Sequence, residues 1–595
     1  MYAIAFAVAA ALLTLAQPAR ASDADDRFKA LYTAEWTWRT AQFPGIEDDE
    51  AQPQPDRLPD VGAKAQHARL GYWSRVLEQL ATIPVDSLSA ANRVNYAVFK
   101  AQIGNLAAEV RFRAYEMPLN SDSQFWSDLA NGAVEVRLKD DRDARNYLAW
   151  LADVPAYIDQ QITNMRAGIA RGFTVPRAVL TGIDQSIASE TGLANPETSA
   201  FYAPLKALPA SIPAADQERM RAQARQLIGG RIEPAYATLL KFFRDDYVPH
   251  ARTTLAAEAL PDGKAYYRQQ LREYTTLDKS PDEIHAIGLR EVAKIHGEMQ
   301  AVMHSTGFTG DFPAFLQFLR TDPRFYAKTP EELLMRSAWI AKEVDGKLDR
   351  FFGHLPRARF TIKPVPAAIA PFYTSGRGGP DVYLVNTYDL PSRALFNVPA
   401  LTLHESYPGH ALQLELADEQ TNQPPFRSHG YISAYGEGWG LYSEFLGTEM
   451  GIYKTPYEKF GYLTYQMWRA CRLVVDTGIH HLGWTREQAV AYLRDNTALS
   501  DHEIDTEVNR YISWPGQADS YYLGYLEILA LRARAEKALG TKFDLRRFHD
   551  TILAAGSVPL PELSVLIDRY IAAGGPEPEW PCDCAGNRDQ RATGG

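Results

Sequence analysis

Along most of the chain, apolar residues recur at spacings of three and four, the period of helices that bury one face. Stretches 93–111, 142–165, 215–243, 281–303, 330–352 and 521–539 carry this pattern and predict helices. Two of them open with start signals, Ser280-Pro281-Asp282-Glu283 and Thr329-Pro330-Glu331-Glu332. Each supplies a capping hydroxyl, a proline with its φ preset, and acids in the first turn. Strand patterns are few. The clearest are 359–362 and 382–386, on either side of a glycine-rich segment, Ser375-Gly-Arg377-Gly-Gly-Pro380, that reads as a turn. No repeat at a solenoid period is present. The pattern predicts a mainly α protein with a small sheet in its middle. Interruptions by Pro, Gly and Asp near 245–265 divide a helical part, 22–260, from a second helical part, 261–575.

The two ends read differently. An apolar run from Ala3 to Ala16 is followed by Ala19-Arg20-Ala21, the small-x-small form of a secretory cleavage site, although no basic residue precedes the run. This predicts a signal peptide over 1–21, a periplasmic or secreted mature chain, and no integral membrane segment after cleavage. Residues 576–595 are rich in Pro and Gly and read as a flexible tail. Of the three cysteines, Cys471 sits in an apolar helical pattern, while Cys582 and Cys584 lie in the tail, where they either pair or stay free. No disulfide framework follows from them. The chain has 595 residues with 62 basic against 73 acidic side chains, a net charge of −11. With no long basic run, nucleic acid is excluded as a partner.

The informative chemistry is Leu403-His404-Glu405-Ser-Tyr-Pro408-Gly409-His410. Two imidazoles and a carboxylate can hold zinc while leaving a position open for water. A Glu beside a ligand His can take that water's proton. In the familiar His-Glu-x-x-His spacing, a four-residue step of about 400° puts both rings on one helix face. Here the step is six residues, about 600°, which leaves the rings about 120° apart on an unbroken helix. Pro408-Gly409 is where the backbone can change course and return His410 to His404. Downstream, Glu437 and Glu444 are seven residues apart, within about 20° of one helix face. Two acids so aligned are costly to bury without a cation. Glu437 is expected as third ligand and Glu444 as the acceptor that orients a ligand imidazole, with the roles exchangeable.

These residues resemble the bacterial family called domain of unknown function 885. The resemblance rests on His404-Glu-Ser-Tyr-Pro-Gly-His410, on Asn386-Thr387 before it, and on Glu437-Gly-Trp after it. It extends to Arg472-Leu-Val-Val-Asp476-Thr-Gly-Ile-His480, Thr506-Glu507-Val-Asn-Arg510-Tyr511 and Pro515-Gly-Gln-Ala-Asp-Ser-Tyr521. A second histidine that many members carry after Pro-Gly-His is Ala411 here. The family is similar to mainly helical zinc peptidases of the thimet oligopeptidase, angiotensin-converting enzyme and Taq carboxypeptidase type. That resemblance implies a zincin-like helical fold with a deep cleft, and a small sheet beside the metal-site helix. It further implies Zn2+ held by His404, His410 and Glu437, and Glu405 as general base. Tyr521 and His480 become candidate oxyanion donors, with Asp476 orienting His480. Residues 382–386, ending at Asn386, become the edge strand that pairs with extended substrate. Arg377, Arg472 or Arg510 becomes the clamp on a substrate carboxylate.

Each assignment has a plainer counterpart. Asp476 and His480 also fit a structural pair, Tyr521 fits core packing beside Tyr522, and each arginine fits an ion pair. Gly376 to Gly379 is not a phosphate loop, since no Lys-Ser/Thr follows. The expected function is an exported zinc metallopeptidase acting on short peptides, as a carboxypeptidase, dipeptidase or oligopeptidase. The alternatives are a non-catalytic peptide-binding or scaffold protein of the same fold, and a zinc hydrolase of non-peptide amides.

Overall fold

The structure is a computed structural model that describes residues 23–47, 52–367 and 369–580. The expected signal peptide, Cys582, Cys584 and most of the expected tail lie outside the described residues. The N-terminal half includes helices α1 (Ala90–Phe112), α2 (Asp141–Arg171), α3 (Ala214–Leu227) and α4 (Glu233–Phe242), followed by α5 (Pro281–Ser305) and α6 (Pro330–Asp345). The start signals act as read. Ser280 and Glu283 form a reciprocal capping box, and Thr329 caps α6 by accepting from the Glu332 amide. The expected helix over 215–243 is interrupted by a π turn at Ile228–Ile232, just ahead of Pro234. The wider turn makes room where proline has no amide to donate and crowds the preceding carbonyl.

Between the helices lies a small sheet of β1 (Thr361–Pro364), β2 (Gly376–Gly378) and β3 (Val382–Val385), in the order β1-β3-β2. β1 runs parallel to β3 with Thr361 opposite Val382, and β2 runs antiparallel with Gly376 opposite Val385. Two expectations are corrected here. The glycine-rich segment is a strand and not only a turn, and the stretch expected as the edge strand is central. Its alternating burial carries Tyr383 and Val385 into the core. The edge strands are β1 and β2.

The second half continues with α7 (Val398–Glu405), α8 (His410–Asp418), α9 (Ser433–Glu449), α10 (Pro456–His480), α11 (Asp501–Ser513), α12 (Asp519–Leu539) and α13 (Leu545–Ala554). α10 is buried from Phe460 to His480 and runs through the core. It is enclosed on every side although it carries Arg469, Arg472 and Asp476. α9 and α12 cross backbone to backbone at Gly438 and Gly524. A Cβ on Gly524 would stand 2.0 Å from the Ala434 carbonyl oxygen. This close crossing fixes Glu437 on α9 relative to Tyr521 on α12. Among the described residues, no helix is long and apolar enough to cross a membrane.

Candidate metal centre

Every residue of α7 is buried, because the run from Val398 to Leu403 presents apolar atoms on all sides. The run delivers His404 and Glu405 into the interior, and the helix ends there. Ser406 to Gly409 leave the helical path through a cis Tyr407–Pro408 bond, and α8 restarts at His410. Trp439 secures the turn by donating its indole N–H to the Pro408 carbonyl at 2.8 Å. Gly409 is required because a Cβ there would lie 1.9 Å from the His404 carbonyl oxygen. The break brings the two imidazole centroids to 4.8 Å, at 83° to one another. An unbroken helix would have splayed them.

α9 approaches the pair with its glutamates. Glu437 Oε2 is 3.5 Å from His404 Nε2 and 3.2 Å from His410 Nε2. The three residues place one ligand atom each within 4.8 Å of one another. Glu444 takes the opposite edge of the same ring, its Oε1 2.8 Å from His404 Nδ1 and 3.5 Å from the Arg469 guanidinium. Between the two acids the ring lies on Gly440, where a Cβ would stand 2.7 Å from its Cε1. Burial opposes a charge on His404, but its hydrogen bonds to Glu437 and Glu444 outweigh this and raise its pKa to about 9. Burial likewise works against an ionised Glu437, yet the neighbouring His410 and His404 hold it well below the ordinary carboxylate value.

Two imidazoles and a carboxylate are donors of the kind that zinc takes. Bonds of about 2.0–2.1 Å in a tetrahedron put neighbouring ligand atoms about 3.3 Å apart. The Glu437 oxygen stands 3.5 and 3.2 Å from the two imidazole nitrogens. Glu444 Oε2, on the far side of the His404 ring from the cluster, is buried without a hydrogen-bond partner. Of the two acids, only Glu437 belongs to the cluster, and Glu444 supports the His404 ring.

Glu405 lies beside the cluster, and its Oε2 accepts from the Gly378 amide of β2 at 2.6 Å. The sheet therefore touches the site through β2 and not through β3. The Tyr521 ring lies nearly parallel to the His404 ring at 6.4 Å, its hydroxyl 3.4 Å from the Arg510 guanidinium and its face over Arg472 at 4.2 Å. Tyr431, which the sequence reading missed, donates its hydroxyl to Glu437 Oε1 at 3.3 Å. It stands in the loop before α9 at no helical spacing from Glu437, so no periodic signal marks it.

Other expected site residues are used up elsewhere. His480 is fully buried, donating from Nε2 to the Tyr511 carbonyl at 2.8 Å and accepting the Ala257 amide at Nδ1 at 3.1 Å. Burial pulls its pKa down to about 3, which keeps the ring neutral. With both nitrogens occupied by backbone groups, the expected oxyanion role is replaced by a structural one. Asp476 does not orient it. That carboxyl accepts from the Tyr267 hydroxyl at 2.7 Å and from the Gly516 amide at 3.0 Å. Asn386 is also fully buried and clamps its own loop, donating to the carbonyls of Ala370, Tyr373 and Thr374 and accepting from the Tyr388 amide. It has nothing left for substrate. Arg472 pairs with Glu507 at 2.7 Å, and Arg510 reaches Glu507 at 3.6 Å and Gln517 at 3.0 Å. Of the three arginines, Arg377 on β2 has an exposed side chain and forms no ion pair with a carboxylate among the described residues. Cys471 is buried in α10, and burial pushes its thiol far above the usual range.

No protein in the curated set matches the chain. Among solved structures, one described as a "putative lipoprotein" from Colwellia psychrerythraea is 26% identical with a TM-score of 0.82, covering 93% of this chain and 100% of its own. Another, described as a "putative lipoprotein of unknown function" from Shewanella oneidensis, is 18% identical with a TM-score of 0.65 over 92% of this chain and 100% of its own, and shares the fold. A family model covers nearly all of the described chain: matched over residues 40–567, the protein belongs to DUF885, the family described as bacterial protein of unknown function.

Proposed function

We propose that this protein is a zinc-dependent hydrolase of short peptides, exported to the cell envelope. The observation that carries this reading is the convergence of His404, His410 and Glu437 on one point, with Glu405 beside them. Zinc held there supplies Lewis acidity, polarising a carbonyl and lowering the pKa of a water molecule. Glu405 has one oxygen anchored by Gly378, which leaves the other to take up a proton and pass it to the leaving amine. The Tyr521 hydroxyl, which accepts from Arg510 and keeps its own proton, is the donor available to a developing oxyanion. As an edge strand, β2 offers pairing to an extended peptide, and Arg377 on that strand offers a clamp for a carboxylate. Recessed ligands favour short chains over folded proteins as substrates. His404, His410 and Glu405 are 2%, 8% and 9% exposed. Export is supported by the Ala3–Ala21 pattern and by the description of the Colwellia neighbour as a lipoprotein.

The test is elemental analysis of the purified mature chain beside His404→Ala, followed by hydrolysis of short peptides with Glu405→Gln as control. The reading expects about one zinc per chain, lost in His404→Ala. It expects Glu405→Gln to keep the metal while kcat falls by about 10²–10⁴. A wild-type chain that holds no metal after zinc is added back would overturn it and leave a peptide-binding protein.

A further inference from the structure

Next to the metal centre, between α8, the loop before α9 and the end of α13, lies a cavity of about 190 Å3 whose wall includes Gln413, Asp418, Gln420, Arg427, Tyr431 and Tyr435. Engineered cavities of about 150 Å3 admit a benzene-sized molecule, so a ligand the size of an amino acid fits here. Two features of its wall are out of balance. Arg427 is 8% exposed and has no carboxylate in an ion pair among the described residues. Its guanidinium donates to Asn95 Oδ1 and to the Ala555 carbonyl, and its Nε has no partner. Burial pulls its pKa down to about 10, while Tyr435 and Glu562 act in the opposite direction. Gln413 is 5% exposed, and neither its amide nitrogen nor its amide oxygen has a hydrogen-bond partner. The neighbouring Tyr435 hydroxyl donates to the Ile552 carbonyl at 2.9 Å, and its oxygen is close enough to the Gln413 amide for that amide to act on it.

A buried cation with no ion pair and a buried amide with no hydrogen bond at either end are each costly, and together they describe a complementary molecule. It carries an anion for Arg427, an acceptor for the Gln413 amide nitrogen and an N–H for the Gln413 oxygen. We propose that this cavity binds the carboxylate of an amino-acid-sized ligand, with Arg427 as its cation and Gln413 as its paired donor and acceptor. The ligand is either a free amino acid or the C-terminal residue of a short peptide. Tyr431 is common to both sites, since it lines the cavity and donates to Glu437. Arg427 and Gln413 bond to no metal ligand, so the proposal does not depend on the hydrolase reading.

Calorimetric titration of the full mature chain tests it, with acetate, N-acetylalanine, alanine, alanylalanine and alaninamide as probes. The carboxylates are expected to bind and alaninamide is not. Binding by alanine but not by N-acetylalanine or alanylalanine identifies free amino-acid ligands, and binding by N-acetylalanine and alanylalanine but not by alanine identifies peptide ends. Arg427→Lys, and Gln413→Leu, which breaks no hydrogen bond, are each expected to weaken binding at least about tenfold. Binding is expected to survive in His404→Ala, which separates this site's failure from that of the metal centre. No heat from any carboxylate at millimolar concentration, equal binding of alaninamide, or affinities untouched by Gln413→Leu and Arg427→Lys would each overturn the proposal.

Discussion

The division of labour between Glu437 and Glu444 is open to a quantitative test. Glu444 meets His404 at Nδ1, on the far side of the ring from Glu437, with Oε1 at 2.8 Å. An acidic acceptor in that place makes the other nitrogen a better ligand and holds the ring in orientation. Removing such a partner typically lowers metal affinity by about 10–100-fold, or about 1.4–2.7 kcal/mol. Two features place Glu444→Gln at the lower end. The amide keeps an acceptor oxygen, and Arg469 at 3.5 Å already offsets part of the carboxylate charge. A tenfold loss, about 1.4 kcal/mol, is therefore expected. Glu437→Gln takes a charged ligand from the cluster itself and is expected to lose considerably more. The assay is competition for zinc against a chelator of known affinity, at one pH, with wild type and both variants. Unchanged affinity in Glu444→Gln would refute the supporting role. A loss as large as that of Glu437→Gln would reverse the two assignments.

Two further predictions rest on protonation and on backbone satisfaction. In the metal-free chain the raised pKa of His404 stabilises the fold below about 6.5, and this contribution disappears as the pH climbs through about 9. Zinc must displace that proton, so binding near neutrality is expected to release about one proton per metal, and affinity is expected to rise with pH across the same window. Calorimetry in buffers of different ionisation enthalpy reads the proton count, and zero release would contradict the His404–Glu437–Glu444 geometry. His480→Leu strands the Tyr511 carbonyl and the Ala257 amide. It is expected to cost about 2–5 kcal/mol in denaturant unfolding while leaving zinc content unchanged. Normal stability with lost hydrolysis would return His480 to the catalytic set.

Amphipathic helices were legible in advance because one wet face leaves a period. α5 and α12 begin and end within two residues of the stretches that predict them. α10 was legible only in part, where Cys471 sits in an apolar helical pattern, and nothing in that pattern marked Arg469 as reaching the site. The sheet was half legible. Alternation marks β3, but the glycines of β2 carry too little side-chain information to separate a strand from a turn, and so the edge was assigned to the wrong strand. The misassigned residues have a common cause. His480, Asp476 and Asn386 are engaged mainly by backbone amides, carbonyls and a distant tyrosine, partners that lie far away in sequence or carry no residue identity.

The candidate metal centre, by contrast, was legible because its constraints are local, and one of them was more informative than the sequence reading made it. Glu437 and Glu444 share a face of α9, and Gly440 occupies that face between them, three residues after the first and four before the second. An imidazole resting on Gly440 meets an acid one turn to either side, so one helix face can hold both edges of a single ring. The 2.7 Å approach computed for a Cβ at Gly440 shows that alanine would already displace it. The spacing Glu-x-x-Gly-x-x-x-Glu is thus a cradle for a histidine from another helix. It does not say which acid joins the His404–His410 cluster. That is decided by the break at Pro408-Gly409, which turns His410 toward Glu437 and leaves Glu444 with His404 and Arg469.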